Sequence, residues 1–211
     1  MHSLASAIEE SADLLLHAGA VERAGQAVLF PGESGVGKST LTAACLIRGF
    51  GYITDEAVAL DPDTGRVTGL ARPLMLTPWS TEALGLDPAL GGWSDESADK
   101  LAFTAQSIGA RAVTEPVAVG HVVLVRRSGA RSNPVIEPVA AGEVLAAVLA
   151  ASFNHYRLGE RAWEAAARLS TQVQGWRLDA DEPVAAADAI LRLLPQRLEA
   201  PTTAVEASPA L

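Results

Sequence analysis

The chain is poor in cysteine, in aromatic residues and in positive charge. Its one cysteine, Cys45, excludes an internal disulfide and a cysteine cluster for zinc. A lone thiol of this kind reads as a small buried core residue. Lys and Arg number 16 against 25 Asp and Glu, a net charge of −9. No broad basic face is therefore expected for a nucleic-acid backbone, and no nucleic-acid partner. No run of about 18 apolar residues occurs, so no membrane-spanning helix is expected. Leu14-Leu15-Leu16 is too short for a signal-peptide core and follows Glu9-Glu10 in place of basic residues. A cytoplasmic location is the expectation. What is present is ample apolar material: 211 residues, 49% hydrophobic and 19% charged, enough for one domain with a full core.

Against that background one segment stands out. Gly32-Glu33-Ser34-Gly35-Val36-Gly37-Lys38-Ser39 satisfies G-x-x-x-x-G-K-[ST], the phosphate-binding P-loop. Gln26–Pro31 before it reads as a buried strand, and Thr40–Arg48 after it as a helix. Gly32, Gly35 and Gly37 allow the backbone to curl so that successive N–H groups converge on a phosphate. The helix beginning near Lys38 adds unpaired N–H groups and the positive end of its dipole. Lys38 is expected at the β- and γ-phosphates, Ser39 on Mg2+, and Glu33, Ser34, Val36 and Thr40 complete the cradle around ATP.

The rest of the chain mixes strands and helices without strict alternation. Asp13–Val21 reads as a strand carrying His17, followed by a turn at Arg23-Ala24-Gly25. Tyr52-Ile53-Thr54 is a strand delivering Asp55-Glu56 at its end, and Ala57–Leu60 continues as strand. Asp61-Pro62-Asp63-Thr64-Gly65 is a turn, and Val67–Met75 reads as a returning strand. Residues 77–110 read as an irregular loop with a short helix, of the kind that forms lids. Gly120–Val125 and Asn133–Val139 read as strands. Ala140–Arg157, Glu160–Gln174 and Pro183–Leu194 read as helices, with a short strand at Trp176–Leu178. Residues 1–12 read as a short helix or loose arm. One domain is expected over residues 1–197, and the Pro/Ala/Thr/Ser-rich residues 198–211 are expected to be disordered. The fold class is α/β.

The P-loop, then Arg48-Gly49-Phe50, then Tyr52-Ile53-Thr54-Asp55-Glu56, resembles the catalytic domain of HPr kinase/phosphorylase. It is most similar to short HPr-kinase-related proteins without the family's N-terminal domain. His17-Ala18-Gly19 sits where that family has a histidine strand. Pro138–Gly142 and Ala150–Asn154 resemble the start and end of its C-terminal helix. The resemblance covers residues 14–75 well and 117–160 more loosely. It implies a P-loop kinase fold related to phosphoenolpyruvate carboxykinase, a mixed β-sheet with flanking helices. It also implies ATP and Mg2+ as cofactors, and transfer of the γ-phosphoryl group to a hydroxyl. The implied acceptor is a modified peptide precursor, a protein serine or a small molecule. Many members of the family are hexamers, so a homo-oligomer is carried as an open expectation.

Three positions depart from the family. Asp55-Glu56 stands for Asp-Asp. A metal-binding glutamate near Thr68–Pro73 is missing. Glu143 replaces an arginine tied to the reverse, phosphorylase reaction, which argues against that reaction here. Asp55 is the candidate to accept the acceptor's proton or to bind Mg2+, and Glu56 is a metal partner or a surface charge. His17 orients Asp55, as the resemblance implies, or is a core histidine. Arg72 stabilises the transferring phosphate or forms a structural ion pair. Lys100 is a phosphate or substrate contact, Asn154 and Arg157 are weaker candidates, and His121 and His155 are structural. The rival readings are a non-catalytic ATP-binding sensor or assembly module and an NTP hydrolase.

Overall fold

The computed structural model describes residues 10–194 apart from 71, 95–96, 128 and 130–132, with no side-chain placement for 93–98. The expected disordered tail at 198–211, and most of the expected N-terminal arm, lie outside the described residues.

The elements in chain order are β1 (Leu14–Arg23), β2 (Gln26–Pro31), α1 (Lys38–Ile47), β3 (Gly51–Thr54), β4 (Ala57–Leu60), β5 (Arg66–Gly69), β6 (Leu74–Leu76), α2 (Pro78–Ala83), β7 (Gly92–Ser94), β8 (Ser97–Phe103), β9 (Val117–Arg126), β10 (Val135–Pro138), α3 (Ala141–Ala150), α4 (His155–Leu158), α5 (Glu160–Gln172), β11 (Gln174–Asp179) and α6 (Pro183–Leu191). They form a mixed α/β architecture. An eight-stranded sheet runs β10-β11-β9-β2-β1-β4-β5, with β3 also on β1. Only the β9 pairings with β2 and with β11 are parallel. β5 pairs with β9 as well as with β4, so β9, β2, β1, β4 and β5 close into a ring.

Alternation along β1 shows how the sheet is clad. Leu14, Leu16, Ala18 and Ala20 enter a core with Val144 and Val148 of α3 and Ala166 and Leu169 of α5. Val21 enters the opposite core with α1 and α6, joined by Val28 and Phe30 of β2. A strand's period of two thus feeds two helical layers from one segment. Gly19 lies on the α1 side. A Cβ there would stand 2.7 Å from Thr42 Oγ1 and 3.6 Å from Lys38 Cβ. The missing side chain is what lets the first turn of α1 lie directly on β1.

Cys45 is fully buried in α1, as expected, and burial drives its thiol pKa far up. Among the described residues no helix is long and apolar enough to cross a membrane.

Several sequence expectations are corrected. Val67–Met75 is two strands in different sheets, because Arg72-Pro73 breaks the run. Residues 77–110 are not an irregular loop. They hold α2, a 3-10 turn at Pro88–Leu90, β7 and β8, and β6-β8-β7 form a separate three-stranded sheet. Leu101 and Phe103 carry that sheet into the α1 core, so it is packed structure. The helix expected over 140–157 stops at Ala150, where the chain turns to pair Ser152 with Leu16, and resumes only as α4.

The Gly19 contact gives a direct test. Gly19→Ala is expected to lower stability by about 1–3 kcal/mol through overpacking. Gly142→Ala, on α3 with open space around it, is expected to be neutral or stabilising by up to about 1 kcal/mol. Urea unfolding of both variants reads the difference.

Candidate functional site

The P-loop joins β2 to α1, and its backbone has the shape its glycines permit. Gly35 and Gly37 have φ of 88° and 102°, values that side-chain-bearing residues seldom adopt. Gly37 caps α1 from this conformation and turns the chain so that the helix starts at Lys38.

Lys38 is 6% exposed. Its Nζ donates to the carbonyls of Gly32 and Glu33, each at 2.7 Å, and lies 3.0 Å from His17 Nε2. Burial lowers the ammonium pKa, and the carboxylates of Glu56, Asp55 and Glu33 oppose that shift. His17 Nδ1 is 3.1 Å from the Glu56 carbonyl oxygen. A carbonyl only accepts, so Nδ1 carries the proton and Nε2 is the acceptor that meets Lys38. The ring is therefore neutral. Burial and the Lys38 charge both push its pKa down.

This arrangement changes the expected role of His17. Its ring nitrogens are engaged by Glu56 and by Lys38 and Ser34 Oγ, the last at 3.3 Å. Neither nitrogen is left to orient Asp55. His17 Nδ1 is also 4.0 Å from Glu56 Oε1, and Arg72 Nη1 is 3.9 Å from Glu56 Oε2. The histidine and the arginine thus bracket Glu56.

Asp55 is held differently. It is 5% exposed and accepts from the Tyr52 hydroxyl at 3.0 Å, and Ser39 and Met75 line the same cleft beside it. Burial raises its pKa and the Ser39 and Tyr52 hydrogen bonds hold it back. Tyr52 is buried as well, and its hydroxyl also lies 2.9 Å from the Arg72 carbonyl. Burial and the neighbouring Asp55 charge raise the phenol pKa.

These groups line one cleft of about 230 Å3. His17, Ser34, Lys38, Ser39, Asp55, Glu56 and Lys100 all face it. Arg72 reaches it through Glu56. The cleft also contains residues that sequence reasoning passed over. Thr40 Oγ1 is 2.8 Å from Ser80 Oγ, which is 2.9 Å from Thr77 Oγ1. That hydroxyl chain ties α1 to the cap of α2. Arg127 stacks over Trp79 at 5.2 Å from the ring centroid, and both face the cleft. Pro78-Trp79 and Arg126-Arg127 were the only signals for that pair, and nothing in the sequence joins them.

Other candidates lie apart from the cleft. Asn154 is fully buried and clamps β1, accepting from Leu15 N and donating to the Asp13 carbonyl. Arg157 donates to the Ser11 carbonyl. His121 accepts from Trp176 Nε1 at 3.1 Å, His155 pairs with Ser152 Oγ at 2.5 Å, and Glu143 pairs with Arg177.

The donor set around Ser39, Asp55 and Glu56 is all oxygen, the kind Mg2+ takes alongside substrate phosphates. Among the described residues, no group of three or more His, Cys, Asp or Glu is gathered for a metal ion. No protein-family model matches the chain, and no curated protein matches it significantly.

Two neutral histidines, the half-buried His17 and the buried His121, set a pH dependence. His17 and His121 both have pKa values pushed below the ordinary 6.5, chiefly by burial. The unfolded chain therefore binds protons first as pH falls. Stability present above about 6.5 is lost as pH drops through that value toward the folded pKa values. Thermal unfolding between pH 7.5 and 5.5 is expected to show a falling midpoint. The double variant His17→Gln/His121→Gln is expected to flatten that slope.

Proposed function

We propose that this chain is an ATP-dependent phosphotransferase of the HPr-kinase-like type. It moves the γ-phosphoryl group to a hydroxyl of a peptide or protein serine, or of a small molecule. The observation that carries the reading is the placement of Lys38 and Ser39, the first two residues of α1, and the buried Asp55 carboxylate on one cleft. A P-loop hydroxyl beside an aspartate at a strand end is the pairing that a Mg-nucleotide needs.

Ser39 and Asp55 would hold Mg2+, which when bound neutralises the charge of the β- and γ-phosphates. The chain's own residues do the rest. Lys38 exchanges the carbonyls of Gly32 and Glu33 for phosphate oxygens. The N–H groups of the loop and of the first turn of α1 orient the phosphates. Lys100 and Arg127, on the cleft wall, add positive charge where negative charge spreads during transfer.

For the acceptor's proton we assign Glu56 and not Asp55. Asp55 already accepts the Tyr52 hydroxyl and is nearly sealed from solvent. The Glu56 side chain is 35% exposed and faces the same cleft. Arg72 Nη1 lies 3.9 Å from its carboxylate, and the neutral His17 holds its backbone carbonyl. Of the two roles the sequence left open for Asp55 this keeps the metal, and it gives the proton to Glu56, which the sequence offered as a metal partner or a surface charge. It keeps two carboxylates in two tasks, one toward the metal and one toward the acceptor.

The test is a phosphorus NMR time course with Mg-ATP and three hydroxyl probes: free serine, N-acetylserinamide and a seryl peptide. A phosphomonoester signal rising with ADP is the expected result. Lys38→Ala and Asp55→Asn are each expected to lower its rate about a hundred-fold or more. Nucleotide binding with no transfer to any probe, together with Asp55→Asn binding ATP as wild type does, would instead establish a sensor or assembly module.

A further inference from the structure

We infer that the apolar pocket between α1, β11 and α6 seats the base of the nucleotide whose phosphates the P-loop holds. The inference rests on the nucleotide reading above and adds a second binding surface to it. The pocket shares Gly37, Thr40, Trp79 and Arg127 with the phosphate cleft, so the two are continuous. Past those four residues the lining changes character. Val125, Leu178 and Pro183 make an aliphatic floor with no phosphate-binding group.

Three observations favour a flat heterocycle as the occupant. The first is the Trp79–Arg127 pair at the junction. Trp79 is 51% exposed despite its size, and the Arg127 guanidinium lies 5.2 Å from its ring centroid. Aromatic rings such as indole, and guanidinium planes, are protein surfaces on which a base stacks with little regard to its edge.

The second is the path of Arg127. A Cβ added to Gly37 would stand 4.0 Å from Arg127 Cδ, so the arginine stem crosses over the last glycine of the P-loop. The same side chain borders the phosphates and the base. The third is the state of the two acids on the rim. Glu182 accepts from Val184 N and Ala185 N as the cap of α6, and Asp181 accepts from Gly129 N. Both are engaged in holding backbone, so area and stacking dominate what the pocket offers a ligand.

Calorimetric titration of the full chain in excess Mg2+ separates the two surfaces. The probes are inorganic tripolyphosphate, which has no base, and the non-hydrolysable imido analogue of ATP. Wild-type protein is expected to bind the ATP analogue about ten-fold tighter than tripolyphosphate. Trp79→Ala is expected to weaken the ATP analogue at least five-fold more than it weakens tripolyphosphate, and Trp79→Phe to restore most of the difference. Trp79 is half exposed, and a circular-dichroism melt of each variant verifies folding. Equal affinity of wild type for the two ligands would overturn the base seat while leaving the P-loop as a phosphate site. Equal weakening of both ligands by Trp79→Ala would do the same. Failure of the ATP analogue alone to bind would overturn the base seat, and failure of both ligands would overturn the nucleotide reading and the inference with it.

Discussion

The site is organised around a buried ammonium group. Lys38 is nearly sealed from solvent, and an ammonium taken out of water is tolerated only where acceptors surround it. The acceptors are two carbonyls of its own loop and one imidazole nitrogen from β1. Their positions depend on everything nearby. The loop that carries those carbonyls curls back over Lys38 through Gly32, Gly35 and Gly37, all of positive φ. The imidazole accepts because the Glu56 carbonyl fixes its tautomer. The helix carrying Lys38 lies close enough because Gly19 has no side chain. Removing any of these leaves a charge in a poor solvent.

The opposite wall of the cleft answers that cation with two carboxylates in different settings. Asp55 is buried and accepts the Tyr52 hydroxyl, whereas the Glu56 carboxylate has Arg72 beside it and stays open. The chain is acidic overall, yet Lys38, Lys100 and Arg127 converge here. A cationic cleft in an acidic body is electrostatically selective for a polyanion that arrives with its own counterion. The α2 cap joins this machinery through the Thr40–Ser80–Thr77 hydroxyls. The small sheet of β6, β7 and β8 is thereby coupled to the phosphate loop.

How much of this was legible in the sequence follows the range of each signal. The P-loop was legible because its meaning is local: three glycines, a lysine and a serine at fixed spacing, between a strand and a helix. The ends of β1, β2 and β4 were legible from apolar runs and turn residues. Residues 77–110 were misread because β6 and β7 are three-residue strands whose pairing needs β8, and no short window shows that. The division of labour between Asp55 and Glu56 was hidden for a related reason. Adjacent residues have equal standing in a sequence, and only the fold turns one toward Ser39 and Tyr52 and the other toward Arg72. Trp79 and Arg127 carried no motif at all. Their partnership exists only because α2 and the end of β9 meet at the same cleft.

The packing of α1 against α6 has a kinetic consequence. The P-loop strand β2 lies between β1 and β9, and helix α1 packs against α6. Arg48, just beyond α1, grips Asp188 of α6 through two hydrogen bonds spanning 140 residues of sequence. The most local motif in the chain is thus held in place by its most distant parts. Loop-closure entropy must be overcome before such contacts return any stability, which makes high contact order slow. During synthesis the hairpin of β1 and β2 can form early, but the cradle gains its flanking strand and its supporting helix only when the last fifth or so of the chain has emerged. The finished shape of the glycine-rich loop is therefore among the last local features the nascent protein acquires, and it reports completed folding of the whole domain.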